Sequence, residues 1–389
     1  MMFARRTNWN LATNRYSEAI EAHRRSGRPV LDLTASNPTT IGLHYDSTHL
    51  LAALANSNAL TYEPVSKGLL TARVAVSSYY RERSAEVDPE RIVLTTSTSE
   101  GYTFAFRFLC EPGDEVLVPT PSYPLFEFLA DLQDVKLVPY ELVYDHGWQI
   151  DFPSLRKNCS PHSRAVIVVH PNNPTGSYVK THEAAELSRL CAERDVAIIA
   201  DEVFLDYSLG ETAKTFAAND VCLTLTLSGL SKISGLPQMK VAWLAVSGPE
   251  VVRNDALARL DVIADTYLSM NAPVQHAVPT MLEERSSIQQ QLTARIRANL
   301  GELDHQLASA PAISRLEIEG GWYALLRVPA TRTDEDLAIE LLQQLDVLVQ
   351  PGLFYDFHRD GYLVISLITP DATFRHGVER VLRHIDGNR

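Results

Sequence analysis

Four groups of polar residues in this chain each follow an apolar run, and each could take part in chemistry. They are the hydroxyl run at 97–99, Asn173 after the run 165–169, Asp201 after the run 196–200, and Lys232 after the run 221–227. A lysine amine can serve as a nucleophile or a base, and a buried aspartate needs a positive charge or a donor beside it. Hydroxyl groups at the start of a helix, with its free backbone N–H groups, can bind an anion such as phosphate.

Each group also has an ordinary structural interpretation. A serine or threonine before a helix is commonly an N-cap, and Asn173-Pro174 and Thr175-Gly176 are common turn sequences. Asp201 could cap a helix, and most Ser-Lys pairs are solvated loop residues. The order and joint occurrence of the four groups therefore carry the functional prediction.

The apolar runs before these groups are expected to form strands of one sheet. Residues 165–169 and 196–200 are apolar without interruption, and residues 181–194 between them have the periodicity of an amphipathic helix. Such an alternation indicates an α/β fold with a mostly parallel sheet covered by helices on both faces. Because ligands bind at the carboxyl ends of such strands, we expect the four groups to meet at one edge.

The length and the change of pattern along the chain predict two domains. A chain of 389 residues exceeds what one hydrophobic core usually holds. After about residue 275, a helix with apolar residues from Ile288 to Leu307 precedes strands at 321–328 and 362–367. We predict a large domain at 46–275 and a smaller α+β domain that combines 1–45 with 276–389.

Composition argues against several classes of function. The net charge of −13 and the sequence pI near 5.4 disfavour a nucleic-acid-binding face. No stretch reaches the roughly 18 apolar residues of a membrane span, and the N-terminus lacks the apolar core of a signal peptide. The four cysteines and twelve histidines lack the spacing of a metal site. We therefore predict a cytoplasmic protein with reduced thiols, no metal, and no nucleic-acid or membrane partner.

One cofactor requires this combination of groups. An enzyme that uses pyridoxal phosphate needs a lysine for a Schiff base, an aspartate for the pyridine nitrogen, donors for the ring oxygen and a phosphate site. The chain also resembles the class I/II aminotransferases, which are fold type I pyridoxal phosphate enzymes, over nearly its whole length. The resemblance rests on an ordered set of motifs: Ser36-Asn37-Pro38, Tyr62 through Gly68, Arg73, Pro112-Gly113-Asp114-Glu115-Val116, Pro121-Ser122-Tyr123-Pro124, Asn172-Asn173-Pro174-Thr175-Gly176, Asp201-Glu202-Val203, Ser231-Lys232 and Gly235-Leu236-Pro237.

The resemblance implies a role for each matched residue around the cofactor. Lys232 would form the Schiff base and shuttle the proton, and Asp201 would pair with the pyridinium. Asn173 would donate to the ring oxygen, and Tyr123 would stack on the ring. The residues implied to hold the phosphate are Ser97, Thr98, Ser99, Ser231 and Lys240.

The resemblance also implies a homodimer with shared active sites. Tyr62 would then reach the phosphate of the opposite subunit, and Tyr267 and Ser269 would border the interface. Asn37 and Trp322 are the residues implied to lie near the substrate.

Three positions around the cofactor depart from the family pattern. Phe204 stands where the family has a tyrosine that donates to the ring oxygen, so the chain loses one donor to a negative charge. Gly229 stands where a serine is expected, although the adjacent Ser228 could substitute. Lys240 replaces an arginine that grips phosphate with two parallel hydrogen bonds, and it keeps the charge without that geometry.

A fourth departure concerns the substrate. In the C-terminal strand, Val364 occupies the position of the arginine that binds the substrate α-carboxylate, and an apolar side chain cannot replace such a clamp. Either another cation binds the carboxylate, for which Arg327 is the candidate, or the substrate lacks a carboxylate there. The ordinary interpretation of Arg327 is a surface residue on an alternating strand.

The sequence therefore predicts a pyridoxal phosphate-dependent aminotransferase that moves an amino group between an amino acid, or an amine, and a 2-oxo acid. A lyase or cyclising synthase on the same fold, such as a carbon–sulfur lyase, is the alternative, because Phe204 and Val364 both differ from the residues usual at these positions in an aminotransferase. A non-catalytic module that binds the cofactor is a third possibility, although the chain lacks the extra DNA-binding domain of such regulators.

Overall fold

Strands and helices alternate along the chain in the computed structural model, which describes residues 2–124, 126–211, 213–268 and 270–387. Over these residues the strands are β1 (Leu31–Asp32), β2 (Ile92–Thr95), β3 (Glu115–Thr120), β4 (Lys136–Tyr144), β5 (Trp148–Ile150), β6 (Ser163–Val169), β7 (Ala197–Asp201), β8 (Thr224–Gly229), β9 (Ala242–Ser247), β10 (Ser314–Arg315), β11 (Tyr323–Arg327), β12 (Val347–Leu348), β13 (Gln350–Pro351) and β14 (Tyr362–Ser366). The α-helices are α1 (Arg15–Ser26), α2 (Ser47–Leu54), α3 (Leu70–Arg81), α4 (Thr98–Leu109), α5 (Phe126–Asp131), α6 (Phe152–Asn158), α7 (Thr181–Arg194), α8 (Leu230–Ile233), α9 (Glu250–Tyr267), α10 (Ala272–Glu283), α11 (Arg285–Leu307), α12 (Asp334–Leu345) and α13 (Asp371–Asp386).

The larger sheet has the strand order β2-β9-β8-β7-β6-β3-β4-β5. Strands β8, β7, β6, β3 and β4 are parallel to their neighbours within that group. Strand β9 is antiparallel to both β8 and β2, so β2 runs in the same direction as β8. The carboxyl ends of β2, β8, β7 and β6 therefore share one edge, and the predicted α/β fold with a mostly parallel sheet is confirmed.

The central strands are buried because they are apolar on both faces. In β7 every residue except Asp201 is buried, and in β6 every residue except Arg164. Helices α4 and α9 pack on one face of the sheet, against Leu225 and Leu227 of β8, and α7 packs on the other, against Ile198 of β7. This arrangement leaves Asp201 as the acid at the open end of a buried strand.

A second, antiparallel sheet has the order β10-β11-β14-β13. The N-terminal strand β1 pairs in parallel with β12, where Leu31 faces Val347. Helices α11 and α13 pack on each other beside this sheet. The chain's two ends thus meet in one structural unit, which supports the proposed small domain made from both.

The boundary between the two proposed domains is best placed at the junction of α10 and α11. Helix α10 packs against α2 and α3 beside the larger sheet, whereas α11 packs mainly against α13. We therefore propose a boundary near residue 284, slightly beyond the expected 275. None of the helices formed by the described residues is long and apolar enough to cross a membrane.

Candidate active site

The four predicted groups all lie at the shared carboxyl edge of the larger sheet. Asn173 follows β6, Asp201 ends β7, Lys232 follows β8, and the hydroxyl run 97–99 follows β2. Strands β6, β7 and β8 are direct neighbours, so their ends are adjacent in space. The edge therefore brings together an amide, an acid, an amine and a helix N-terminus.

The amine of Lys232 is enclosed by aromatic rings. Its Nζ lies 4.8 Å from the centre of the Trp322 ring and 5.4 Å from that of Phe204. It donates to the backbone C=O of Ser36 at 3.5 Å. Loss of water around the amine lowers the pKa of Lys232 to about 8, an effect that the negative charge of Asp201 partly opposes. The amine can therefore hold or release a proton near neutral pH.

The carboxylate of Asp201 is held by two donors. Tyr102 Oη donates to Oδ2 at 3.0 Å, and the Val203 N–H donates to Oδ1 at 3.2 Å. Desolvation raises the pKa of Asp201 to about 6, although both donors and the charge of Lys232 lower it. A positive group placed beside this carboxylate would therefore be strongly favoured.

Tyr102 was not predicted as a site residue. It lies one turn into α4, so its distance from Asp201 depends on how that helix packs across the sheet edge. The available signal was its helical spacing from Thr98 at the start of the same helix.

The start of α4 is the candidate phosphate site. Ser97 is the N-cap, and its Oγ accepts from the Glu100 N–H at 3.1 Å. The Glu100 carboxylate accepts from the Thr96 N–H at 2.7 Å. These contacts are those of a capped helix, and they leave the first-turn N–H groups of Thr98 and Ser99 directed out of the N-terminus toward an anion.

Asn173 is buried beside a loop that its neighbour holds in place. Asn172 Nδ2 donates to the Pro121 C=O at 3.0 Å and to Thr175 Oγ1 at 2.9 Å. By contrast, the side-chain oxygen of Asn173 is buried and meets no donor among the described residues. The indole N–H of Trp322 is likewise buried without an acceptor there. Because buried polar groups are rarely left unpaired, these two atoms fit a site that a ligand completes. The Asn173 oxygen can only accept, so the donor to a ring oxygen would be the Nδ2 of the same amide.

Tyr123 lies at the same edge, in the loop after β3. Desolvation and the negative charge of Asp201 raise the pKa of its hydroxyl, which places the two side chains within electrostatic range. The residue is 43% exposed. Ser231 lies beside Lys232 in α8 and is partly exposed, and Lys240 is exposed at the end of the following turn.

The structure explains why position 229 is a glycine and where the adjacent Ser228 hydroxyl points. A Cβ atom on Gly229 would lie 2.8 Å from the Val241 C=O, so the pairing of β8 with β9 leaves room only for glycine. Adjacent strand residues point to opposite faces. Ser228 accordingly donates to the Glu202 C=O at 3.4 Å, and the structure does not bring its hydroxyl to the phosphate site.

Phe204 and Val364, which depart from the family pattern, both lie in apolar surroundings. The Phe204 ring meets the edges of Trp322 and Tyr323, with centroid distances of 5.2 and 6.2 Å. Val364 is buried and pairs with Leu325, on the sheet face that also carries Tyr323.

The structure does not bring Arg327 to Lys232. Arg327 ends β11 and pairs with Tyr362 of β14. It lies four residues, or roughly 13 Å, along β11 from Tyr323. It lines a separate cavity together with Arg359. Asn37 follows the Ser36 carbonyl that Lys232 contacts, but its side-chain oxygen accepts from Thr39.

The residues predicted near a subunit interface lie on an exposed surface. Tyr62 is 78% exposed and lines a cavity of about 440 Å³ with Leu268. Tyr267 is half-exposed, and its ring packs on Phe104 at 5.0 Å. Ser269 lies outside the described residues.

Comparison with known proteins places this arrangement in context. The family model described as aminotransferase class I and II matches residues 28–381. The chain is 28% identical over 352 residues to the glutamate-pyruvate aminotransferase AlaA of Escherichia coli (strain K12), covering 88% of this chain and 87% of the relative. It is 26% identical over 369 residues to the alanine aminotransferase of Mycobacterium tuberculosis (strain ATCC 25618 / H37Rv), covering 91% and 85%.

Solved structures agree with the fold. The alanine aminotransferase from Pyrococcus furiosus superposes with a TM-score of 0.89 at 21% identity, covering 99% of this chain and 100% of that one. An aminotransferase from Escherichia coli superposes with a TM-score of 0.85 at 25% identity, covering 97% and 99%.

Proposed function

The chain belongs to the class I and II aminotransferases, and we propose that Lys232, Asp201 and Asn173 are the residues through which it acts. Proteins of this family use pyridoxal phosphate to move an amino group between an amino acid or amine and a 2-oxo acid. The observation that carries the assignment is the Lys232 amine, enclosed by aromatic rings beside Asp201 at the carboxyl edge of the sheet.

The residues present fit the cofactor. Pyridoxal phosphate supplies an electron sink for the carbon that bears the amino group. Asp201 would hold the pyridine nitrogen, Asn173 the ring oxygen and Tyr123 the ring face. The proposed phosphate contacts are Thr98 and Ser99 with their backbone N–H groups, the cap residue Ser97, and the side chains of Ser231 and Lys240.

Lys232 is suited to move a proton at the substrate carbon. Its lowered pKa allows the amine to be neutral and accept a proton, then to return it as an ammonium group. Trp322 and Phe204 exclude water from one side of the amine, which protects the proton from exchange. Asp201 keeps its position through Tyr102 and Val203, so the charge opposite the amine is fixed.

Restoring a tyrosine at position 204 should stabilise negative charge on the cofactor's ring oxygen. In the loaded enzyme, the Phe204→Tyr variant should lower the pH midpoint of the visible cofactor band by about 1 unit, since a hydrogen bond to a charged group contributes about 1.5 kcal/mol or more. Absorbance recorded across a pH series measures the midpoint, with the exposed Phe128→Tyr as the matched control. An unchanged or higher midpoint would show that the 204 ring does not face this oxygen.

The named relatives suggest the first substrates to try. One is called a glutamate-pyruvate aminotransferase and another an alanine aminotransferase. We therefore propose L-alanine and L-glutamate as first amino donors and pyruvate as a first acceptor.

The apolar surroundings of Val364 give a more specific expectation about the substrate carboxylate. Val364 is buried and pairs with Leu325, and Arg327, the arginine of that strand, lies opposite Tyr362 instead. A carboxylate placed beside Val364 would be desolvated next to apolar side chains, which is unfavourable. We propose that the carboxylate adds little to binding at this site.

Matched pairs of donors test this proposal and the reaction itself. Purified enzyme loaded with pyridoxal phosphate is mixed with L-alanine or ethylamine, and with L-phenylalanine or 2-phenylethylamine, while the visible cofactor band is followed. We expect conversion to the pyridoxamine form, with rates within each pair that differ by less than about tenfold. A two-point arginine clamp would favour the amino acid by roughly a hundredfold or more. If no donor changes the band, the proposed reaction is contradicted, whereas conversion by amino acids alone contradicts only the carboxylate proposal.

A homodimer is proposed from the family and from the exposed side chains around Tyr62. Tyr62 and Leu268 are 78% and 65% exposed and line one cavity, where a partner could cover them. A second subunit seated there would bring each Tyr62 toward the other's site. We also propose a cytoplasmic location, which the free thiols of the four cysteines support.

A further inference from the structure

The short turn that carries Lys232 is held by side chains from distant segments as well as by its own backbone. Helix α8 spans Leu230–Ile233, and a helix leaves its last four C=O groups without intrahelical partners. Side chains from distant segments donate to carbonyls of this turn and the residues after it: Tyr207 to Lys232 at 2.6 Å, Gln289 to Ile233 at 2.9 Å and Tyr45 to Gly235 at 2.8 Å. The position of the lysine is therefore set partly from outside its own segment.

Tyr207 differs from the other two donors because it contacts both the backbone of Lys232 and the aromatic ring beside the Lys232 amine. Its hydroxyl binds the backbone C=O of Lys232, and its ring meets the edge of Trp322 at a centroid distance of 5.2 Å. Trp322 in turn lies 4.8 Å from the Lys232 amine. The backbone C=O of Tyr207 accepts from the Gly321 N–H at 2.9 Å, which fixes the residue before Trp322.

Tyr207 is itself held firmly. The adjacent Asp206 forms a buried ion pair with Arg83 and accepts from Tyr79 Oη at 3.1 Å. Tyr207 is 1% exposed, and burial raises the pKa of its hydroxyl well above the ordinary value, so the group remains a donor. A rigid donor of this kind can fix the carbonyl that it binds.

We propose that Tyr207 is a positioning residue for Lys232. Its hydroxyl fixes the lysine backbone, and its ring and C=O fix the Trp322 wall against which the amine rests. This inference rests on the proposed catalytic role of Lys232. It adds a residue that lies outside the set implied to contact the cofactor, three positions beyond Phe204 in the chain.

Removing the hydroxyl tests the proposal in two ways. With Tyr207→Phe in the loaded enzyme, we expect kcat to fall roughly tenfold and KM to change by less than about twofold, because a misplaced group costs rate more than binding. In the full-length protein freed of cofactor, the titration midpoint of the Lys232 amine should rise, since a looser amine reaches water. Labelling with an amine-selective reagent across a pH series, followed by peptide mass spectrometry, measures this midpoint. The charged group that faces the amine, Asp201, is unchanged in the variant.

Tyr140→Phe is the matched control. Tyr140 is also 1% exposed and donates to the Ile167 C=O at 2.8 Å, within the larger sheet and remote from the lysine turn. We expect the control to lose a similar amount of thermal stability but to keep kcat and the Lys232 midpoint. Equal kcat and midpoint in the two variants would overturn the proposal.

A third variant covers a failure of Tyr207→Phe to fold. The Lys232 C=O also accepts from the Gly235 N–H at 3.3 Å, so it is not left unpaired in that variant and folding is expected. If folding nevertheless fails, Tyr207→4-aminophenylalanine keeps a donor at the same reach and should retain more kcat than Tyr207→4-methylphenylalanine, which keeps only the size; equal values would overturn the proposal. Because the labelling measurement needs no turnover, an inactive wild-type enzyme would contradict the proposed function without deciding the role of Tyr207.

Discussion

Replacing Lys232 by alanine is expected to lower kcat for amino transfer by at least about 10⁴-fold. The residue is proposed to hold the cofactor and to move the proton, and general acid–base catalysis alone contributes about 10²–10⁴-fold. The amine is also the group that lies against the Trp322 and Phe204 rings. Steady-state rates with L-alanine and a 2-oxo acid, measured with excess pyridoxal phosphate, check this result.

Lys214→Ala is the control for this loss. Lys214 is an exposed lysine in a loop beside β8, and its backbone C=O is the group that contacts His170. We expect wild-type rates from this variant. Activity of Lys232→Ala within tenfold of wild type would contradict the assignment of the lysine.

Replacing Asp201 by asparagine is expected to lower kcat by about 10²–10³-fold, comparable to removal of another preorganised electrostatic group. The change removes the negative charge that would keep the pyridine nitrogen protonated and leaves the size of the side chain unchanged. The fold should tolerate it, because burial already disfavours the charged form of Asp201 and raises its pKa to about 6. The amide oxygen can keep the Val203 N–H, and the Tyr102 hydroxyl can rotate to accept from the amide NH2.

Rates, cofactor affinity and melting temperature together check the Asp201 prediction. We expect a lower rate and weaker binding of pyridoxal phosphate, with little change in melting temperature. Asp255→Asn, at an exposed aspartate paired with Arg259, is the control and should behave like wild type. A normal rate in Asp201→Asn would mean that another group holds the cofactor nitrogen.

The sequence predicted the residues that follow strands better than those that act through packing. Lys232, Asp201 and Asn173 each follow an apolar run, and the parallel order of β6, β7 and β8 forces their carboxyl ends together. Once the runs are identified as strands of one parallel sheet, it follows that the residues after them lie together at the carboxyl edge.

The candidate carboxylate residue shows where sequence reasoning reached its limit. Arg327 lies on the strand that begins beside Trp322, so its chain position made it a reasonable candidate. Its place depends on the antiparallel register with β14, which sets it opposite Tyr362 at the far end of the strand. Register is a property of two distant segments and could not be derived from either alone.

Residues that act through backbone or packing contacts were also beyond sequence reasoning. A Cβ atom at Gly229 would lie too close to the Val241 C=O, and only the pairing of β8 with β9 reveals this. Tyr207 has no motif of its own, and its hydrogen bond to Lys232 joins segments 25 residues apart. Such contacts arise from the folded arrangement of several elements.

Transfer of a labelled amino group tests the central claim most directly. The enzyme, loaded with pyridoxal phosphate, is incubated with ¹⁵N-labelled L-alanine and an unlabelled 2-oxo acid, and the products are analysed by mass spectrometry. The account predicts that the label appears in the amino acid formed from the acceptor, with one labelled product for each pyruvate released and no turnover when the acceptor is omitted. Failure to transfer the label from L-alanine, together with release of a thiol, ammonia and pyruvate from a cysteine S-conjugate in the absence of acceptor, would contradict it and indicate a lyase.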